Sequence, residues 1–307
     1  MATLPAAPLA PPPVAARPPL KLPPKAPMPA APPPIAQGTA LKLSRPQAQR
    51  QKHRILLIAK EKWGKTSFVS WAPGAGVLMA QGETGLTTLQ GANLAPAIPC
   101  VVVERWADLL ATIDALTVDP QGIKVLGLDV IGGFERLCRR HVCDRDFGGD
   151  MTETGFGSYQ KGLFATAGEW FLLLQTLDRL QEKQDVVVVL LSHCKTKKTP
   201  NPLGADYDRF SSDVDDRIWA ATNGWADCIL FGTFDLRVTT QKSNRPEELK
   251  KGKAVGGKNR IIYTEPGASF DAGNRFNMPP EITMPDNPAD MWGVVWEAIT
   301  ASSKEQK

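Results

Sequence analysis

The chain has 307 residues, a formal charge of +4, 42% hydrophobic and 22% charged residues, 27 prolines and five cysteines, enough for one large domain or two small ones. Residues 1–50 hold 15 of the prolines, 12 alanines, six Lys or Arg and no acid, leaving 30 basic and 32 acidic residues, a charge of −2, in residues 51–307. That balance excludes a globally basic nucleic-acid binder, and the longest unbroken apolar run, residues 186–191, is too short to cross a bilayer.

Residues 1–50 carry no periodic apolar face, and their prolines lack backbone donors, so a disordered, partly polyproline II tail is expected there. It could serve as an SH3-type ligand, as a basic tether near nucleic acid, or as a solvated segment with no dedicated partner. Prolines from Pro5 onward interrupt any secretory apolar stretch. Cys100, Cys138, Cys143, Cys194 and Cys228 are odd in number and without framework spacing, which suggests reduced thiols. Cys138, His141 and Cys143 lie close together but lack the paired spacing of a zinc site.

From residue 54 the pattern changes. Short apolar runs at 54–59 (RILLIA), 76–80 (GVLMA), 99–103 (PCVVV), 124–129 (KVLGLD) and 185–192 (DVVVVLLS) read as strands covered on both faces. Between them, 65–71, 106–116, 131–142 and a long stretch from Phe156 to Leu177 carry helical spacing. Segments 227–233, 236–241 and 259–264 read as further strands joined by turns, placed antiparallel at one edge, and 288–300 as a final helix opened by Pro288. Strands alternating with helices predict a three-layer α/β domain over 51–307 with a mainly parallel sheet.

Directly after the first strand comes Ala59-Lys60-Glu61-Lys62-Trp63-Gly64-Lys65-Thr66-Ser67, the phosphate loop G-x-x-x-x-G-K-[ST] with alanine for its first glycine. Such a loop surrounds phosphates with backbone N–H groups, sets a lysine on the β and γ phosphates and a hydroxyl on magnesium, so ATP and Mg2+ are the expected ligands. Asp129, at the end of a buried strand, suits the magnesium side, or else caps the helix from Ile131. Hydrolysis needs a carboxylate to activate water, and Glu83, just past the second strand, is better placed than Glu61 within the loop. His193 directly follows the run 185–192 and is either a sensor of the γ-phosphate or a histidine hydrogen-bonded at a strand end.

The succession ILLIAKEKWGKTSF, VLMAQGETGL, VLGLDVIGGFERL, VVVVLLSHCK, ADCILFG and AGNRFNMPPEI resembles the RecA-like P-loop ATPases of tailed phages and prophages, a group that includes single-strand annealing recombinases, over roughly residues 53–285. The resemblance implies a RecA-like ATPase acting on single-stranded DNA in phage recombination or replication. It also implies a homo-oligomer with ATP between subunits, a phage single-strand-binding protein as a further partner, no membrane, and the cytoplasm of a bacterial host. It makes Lys65 and Thr66 nucleotide ligands, Glu83 the hydrolytic glutamate, Asp129 the magnesium-side aspartate and His193 the sensor. Arg275, Lys258 or Arg260 would supply a cation in trans or remain ordinary surface charges. The stretch 195–217 corresponds to a mobile DNA-binding loop, with Lys195, Lys197, Lys198 and Arg209 beside Tyr207 and Phe210, opposed by Asp206, Asp208, Asp213, Asp215 and Asp216. A second, glycine-rich loop is expected over 144–158. The chain departs from the family at Ala59 and at Gly273, where many relatives carry lysine. An alternative from another class is a nucleotide-switched binding or annealing protein with little or no hydrolysis.

Overall fold

Alternating apolar segments build the sheet of the computed structural model, which describes residues 53–202, 204–240 and 252–305. The tail expected over 1–50 lies outside them. In chain order the elements are β1 (Arg54–Ala59), α1 (Lys65–Ser70), β2 (Ala75–Ala80), α2 (Gly85–Gly91), β3 (Cys100–Val103), α3 (Trp106–Val118), β4 (Val125–Asp129), α4 (Ile131–Asp146), α5 (Lys161–Lys183), β5 (Val187–Thr199), β6 (Tyr207–Ser212), α6 (Asp216–Trp225), β7 (Cys228–Thr240), β8 (Gly252–Tyr263), β9 (Gly273–Asn274), β10 (Glu281–Thr283) and α7 (Met291–Glu305).

The strands lie in the order β10-β8-β7-β1-β5-β4-β2-β3. From β3 to β7 every neighbouring pair is parallel, while β8, β9 and β10 join antiparallel at the β7 edge. The period of two along β1 explains the layers. Leu56 and Ile58 enter one core with Trp106, Phe134, Trp170 and Ile218 from α3, α4, α5 and α6. Ile55 and Leu57 enter the opposite core with Phe68, Leu86 and Trp292 from α1, α2 and α7. The fold is therefore a three-layer α/β P-loop architecture, and each large apolar side chain sealed in it contributes about 1.5–3 kcal/mol relative to exposure.

Several segments differ from the sequence reading. The expected strands 227–233 and 236–241 are one strand, β7, whose pairing with β8 shifts register between Phe234 and Leu236; Gln241 lies outside the described residues. The expected helix from Phe156 begins only at Lys161, because Phe156 turns back to pack on Val142 and Cys143. That packing also makes 147–157 a folded turn carrying its own small core rather than an open loop. The expected mobile loop after His193 is a two-stranded antiparallel ribbon in which Cys194–Thr199 pairs with Tyr207–Ser212. Its anchor is Phe210, stacked on Phe231 at 5.6 Å, while Phe270 stacks on Phe231 and Tyr263 at 4.9 and 4.5 Å. Among the described residues no helix is long and apolar enough to cross a membrane.

Candidate nucleotide-binding site

Parallel strands deliver their carboxyl ends to one edge of the sheet, where ligands of open α/β sheets bind. Ala59 at the end of β1 pairs with His193 on β5, and Asp129 on β4 with Leu191 on β5. Glu83 follows β2 through a turn closed by its own N–H on the Ala80 carbonyl at 3.0 Å. A cleft of about 850 Å³ joins Lys65, Thr66, Glu83, Asp129 and His193.

The loop between β1 and α1 owes its shape to two residues with left-handed backbone, Lys62 at φ 57° and Gly64 at φ 107°. Gly64 can hold that conformation without the steric cost a side chain would bring. Ala59, by contrast, ends β1 with ordinary backbone and is fully buried. No left-handed turn is required where the loop motif has its first glycine, so the alanine there introduces no strain. Trp63 inside the loop is also fully buried, and its indole Nε1 donates to the Thr233 carbonyl at 2.9 Å. A Cβ on Gly232 would come within 2.8 Å of both Ala59 Cβ and Trp63 Cε2, so β7 passes beneath the loop only as glycine.

Lys65 is 6% exposed, and its Nζ donates to the carbonyls of Ala59 and Lys60 at 3.0 and 3.2 Å and to His193 Nδ1 at 3.1 Å. An ammonium only donates, so Nδ1 accepts and the imidazole proton sits on Nε2. Burial holds His193 below the ordinary histidine range, reinforced by the Lys65 charge. Burial likewise lowers Lys65, opposed chiefly by Asp129. Thr66 Oγ1 donates to Asp129 Oδ2 at 2.6 Å. Burial nevertheless pushes the Asp129 carboxyl up, against that bond and the Lys65 charge. A buried carboxylate short of compensating charge, beside a hydroxyl, is a hard-oxygen pair that fits a magnesium ion. Glu83 is half-buried and pairs with no cation among the described residues.

Lys60 does not line the cleft; its Nζ lies 4.6 Å from the centroid of the Phe210 ring on the ribbon. Glu61 is exposed and outside the cleft lining, whereas Lys62 and Ser67 line it. Arg260 on β8 enters this chain's own cleft, with Nε donating to the Trp63 carbonyl at 2.6 Å. Arg275 does not: it pairs with Asp227 at the start of β7, the opposite edge of the sheet. Lys258 is exposed on β8 outside the cleft lining.

Each ribbon cation already has an internal partner. Lys195 donates to the carbonyls of Asp213 and Val214 at 3.1 Å, Lys197 pairs with Asp216, Lys198 meets Asp206 at 3.4 Å and Arg209 meets Asp271 at 2.5 Å. Tyr207 stays exposed. Sequence reasoning missed Trp71, Leu89, Asn93, Leu94 and Pro288 in the cleft wall. The helix α2 behind three of them reads GLTTLQG and shows too little apolar periodicity to announce itself. Of the cysteine–histidine group, Cys138 bonds the Thr166 carbonyl, Cys143 packs on Phe156 and His141 faces Glu169 at 3.9 Å.

Among curated proteins no match was found. Compared with known families, residues 51–276 match the AAA domain. With its phosphate loop at the head of a parallel sheet, the chain belongs to the AAA domain family and is a P-loop, nucleotide-binding ATPase domain.

Proposed function

We propose that this chain binds ATP with magnesium, hydrolyses it and acts on single-stranded DNA in phage recombination or replication, assembling as a homo-oligomer. The observation that carries the hydrolytic part is the meeting of Lys65, Thr66, Asp129, His193 and Glu83 in one cleft. Lys65 would exchange its carbonyl and imidazole partners for phosphate oxygens, and Glu83, which pairs with no cation among the described residues, would take the proton of the attacking water. Thr66 and Asp129 would hold magnesium, which supplies charge neutralisation at the β and γ phosphates. The DNA part is supported by the ribbon that the carboxyl half of β5 forms with β6 directly after His193, with the exposed ring of Tyr207 as a platform for a base. Lys258, exposed outside its own cleft, would meet a neighbouring subunit directly, Arg275 would do so only by leaving Asp227, and a phage single-strand-binding protein in the host cytoplasm is a further partner.

A second reading, a nucleotide-switched binder with little turnover, is favoured by the Lys65–His193 contact, which leads from the phosphate loop straight into the ribbon. Phosphate release from ATP, with and without single-stranded DNA, separates the two. Turnover that DNA raises, and that Lys65→Ala and Glu83→Gln both abolish while Glu83→Gln keeps ATP binding, is the expected result. ATP binding lost in Lys65→Ala without any turnover in the parent chain would favour the switch, and absence of binding would refute both.

A further inference from the structure

The long helix α5 buries one face and leaves the other open. Its inner face enters the core through Trp170, Leu173, Leu174, Leu177 and Leu180. At 3.6 residues per turn the opposite face carries Phe164, Gly168, Phe171 and Leu172, all exposed. Exposed polar residues continue the same face at both ends, Lys161 before the apolar stretch and Gln175, Arg179 and Glu182 after it.

The apolar side chains of this face are far from covered: Phe164 is 63% exposed, Phe171 53% and Leu172 47%. Arg217 of α6 lies over one side of the Phe164 ring, 4.4 Å from its centroid, and still leaves the residue open. Together the three residues present on the order of 300 Å² to solvent, as much as the largest apolar patch on many monomers. Between them stands Gly168, where an added Cβ would meet nothing within 4 Å. Glycine in a helix interior is less stable than alanine, and no contact within the chain requires it here. A glycine there lets a group from outside come close to the helix backbone.

The order of residues along the face is self-complementary. Reversed about the midpoint between Phe171 and Leu172, it sets Phe171 against Leu172, Gly168 against Gln175, Phe164 against Arg179 and Lys161 against Glu182. These pairings bring apolar groups together, lay a long amide over the glycine, place a guanidinium on a ring and oppose an ammonium to a carboxylate. Lys161 and Glu182 form no ion pair among the described residues. Arg179 meets Asp114 at 3.4 Å with both side chains 55% exposed, a pair loose enough to yield. A parallel pairing about a two-fold axis would instead set Lys161 against Lys161 and Glu182 against Glu182.

We propose that the outer face of α5 is an isologous interface on which a second copy of this chain lays its own α5 antiparallel, centred between Phe171 and Leu172. The helix has 23 residues and is about 35 Å long, so the pair buries on the order of 1,000 Å² in total, and the dimer is weak and reversible. It lies in the layer with α3, α4 and α6, across the sheet from α1, and it needs no nucleotide.

The test is sedimentation velocity of the full chain without nucleotide, at low ionic strength and from about 1 to 200 µM. The parent should pass from monomer to dimer with a Kd on the order of 10 µM. Lys161→Glu and Glu182→Lys, each at an exposed position, place like charges at both ends of the pair and should each weaken it about tenfold. The chain carrying both reversals should return to within about threefold of the parent. Such rescue cannot arise within one chain, because the two residues stand near opposite ends of the same helix. Gly168→Leu should raise Tm and yet weaken the dimer about tenfold, a separation that a glycine serving only the fold would not show. A double reversal no better than the singles, or an oligomer that neither single reversal disturbs, would overturn the proposal. A parent that stays monomeric at about 200 µM would overturn it as well, and would leave the face to a partner other than this chain.

Discussion

Replacing Gly232 by alanine would drive a methyl group into the floor of the phosphate loop. Its Cβ would meet Ala59 Cβ and Trp63 Cε2 at 2.8 Å and Trp63 Cδ2 at 3.0 Å, and both neighbours are fully buried. The indole cannot swing aside without losing its bond to the Thr233 carbonyl. Overpacking of this kind costs about 1–3 kcal/mol, and for a domain of this size each kcal/mol lowers Tm by about 2–4 °C. Ala59→Gly alone should cost about 1–2 kcal/mol, from one lost buried methyl and the greater freedom of glycine in the unfolded chain. Together the two substitutions exchange the methyl across the β1–β7 pair and remove one of the two clashes. The double variant should therefore be more stable than the sum of the singles by about 0.5–1.5 kcal/mol. Urea unfolding of the four proteins, read at constant m, measures this coupling. Additivity within about 0.5 kcal/mol would show that Ala59 and Gly232 do not press on each other and would refute the packing account of the loop.

Two further predictions concern buried carboxylates. Asp129 has a raised folded-state pKa, so it favours folding below the ordinary carboxylate range and opposes it as pH rises through the folded value. Asp129→Asn should then melt above the parent at pH 8 without nucleotide, with the gap closing toward about pH 4, and a lower melting point at pH 8 would contradict this. Glu169, 7% exposed, is pushed up by burial, but Arg145 at 2.7 Å and the Trp106 indole at 2.9 Å outweigh that and hold it below the usual range. Arg145→Ala should cost about 1–3 kcal/mol at pH 7 and progressively less as pH falls through the carboxylate range, with Glu169→Gln in the same chain recovering part of the loss; a cost independent of pH would be the contrary result.

The parts legible in the sequence are those dictated by local pattern. RILLIA gives β1 its bounds because a continuous apolar run has to be covered on both faces, and the spacing from Ala59 to Thr66 places the loop that follows. Asp129 was legible for the same reason, as the first polar residue at the end of an apolar strand, and His193 as the titratable residue one place beyond Ser192 where the apolar run of β5 gives out. The ribbon was not, because its Lys, Thr and Asp residues alternate with no apolar face. What holds it is Phe210, whose ring stacks on Phe231 and whose backbone bridges to Phe270, residues distant in sequence. The helix α6 escaped notice although its signal was present, with Asp215 capping the Arg217 N–H and Ile218, Thr222 and Trp225 recurring on one buried face. Concern over Ala59 came from a motif written in residue names, whereas the strand backbone at that position admits a side chain.

The internal pairing of the ribbon sets how any polyanion would have to bind there. A free lysine on a surface takes up a phosphate and releases small ions from it, so affinity falls steeply with added salt. Lys197, Lys198 and Arg209 already face Asp216, Asp206 and Asp271, so an arriving phosphate must first displace a carboxylate of the same chain. Added salt weakens the resident pair along with the incoming one, and the two effects partly cancel. Any grip of the ribbon on a polyanion would thus be an exchange of partners, depending on ionic strength less than the number of its cations suggests and more on whatever draws the aspartates away.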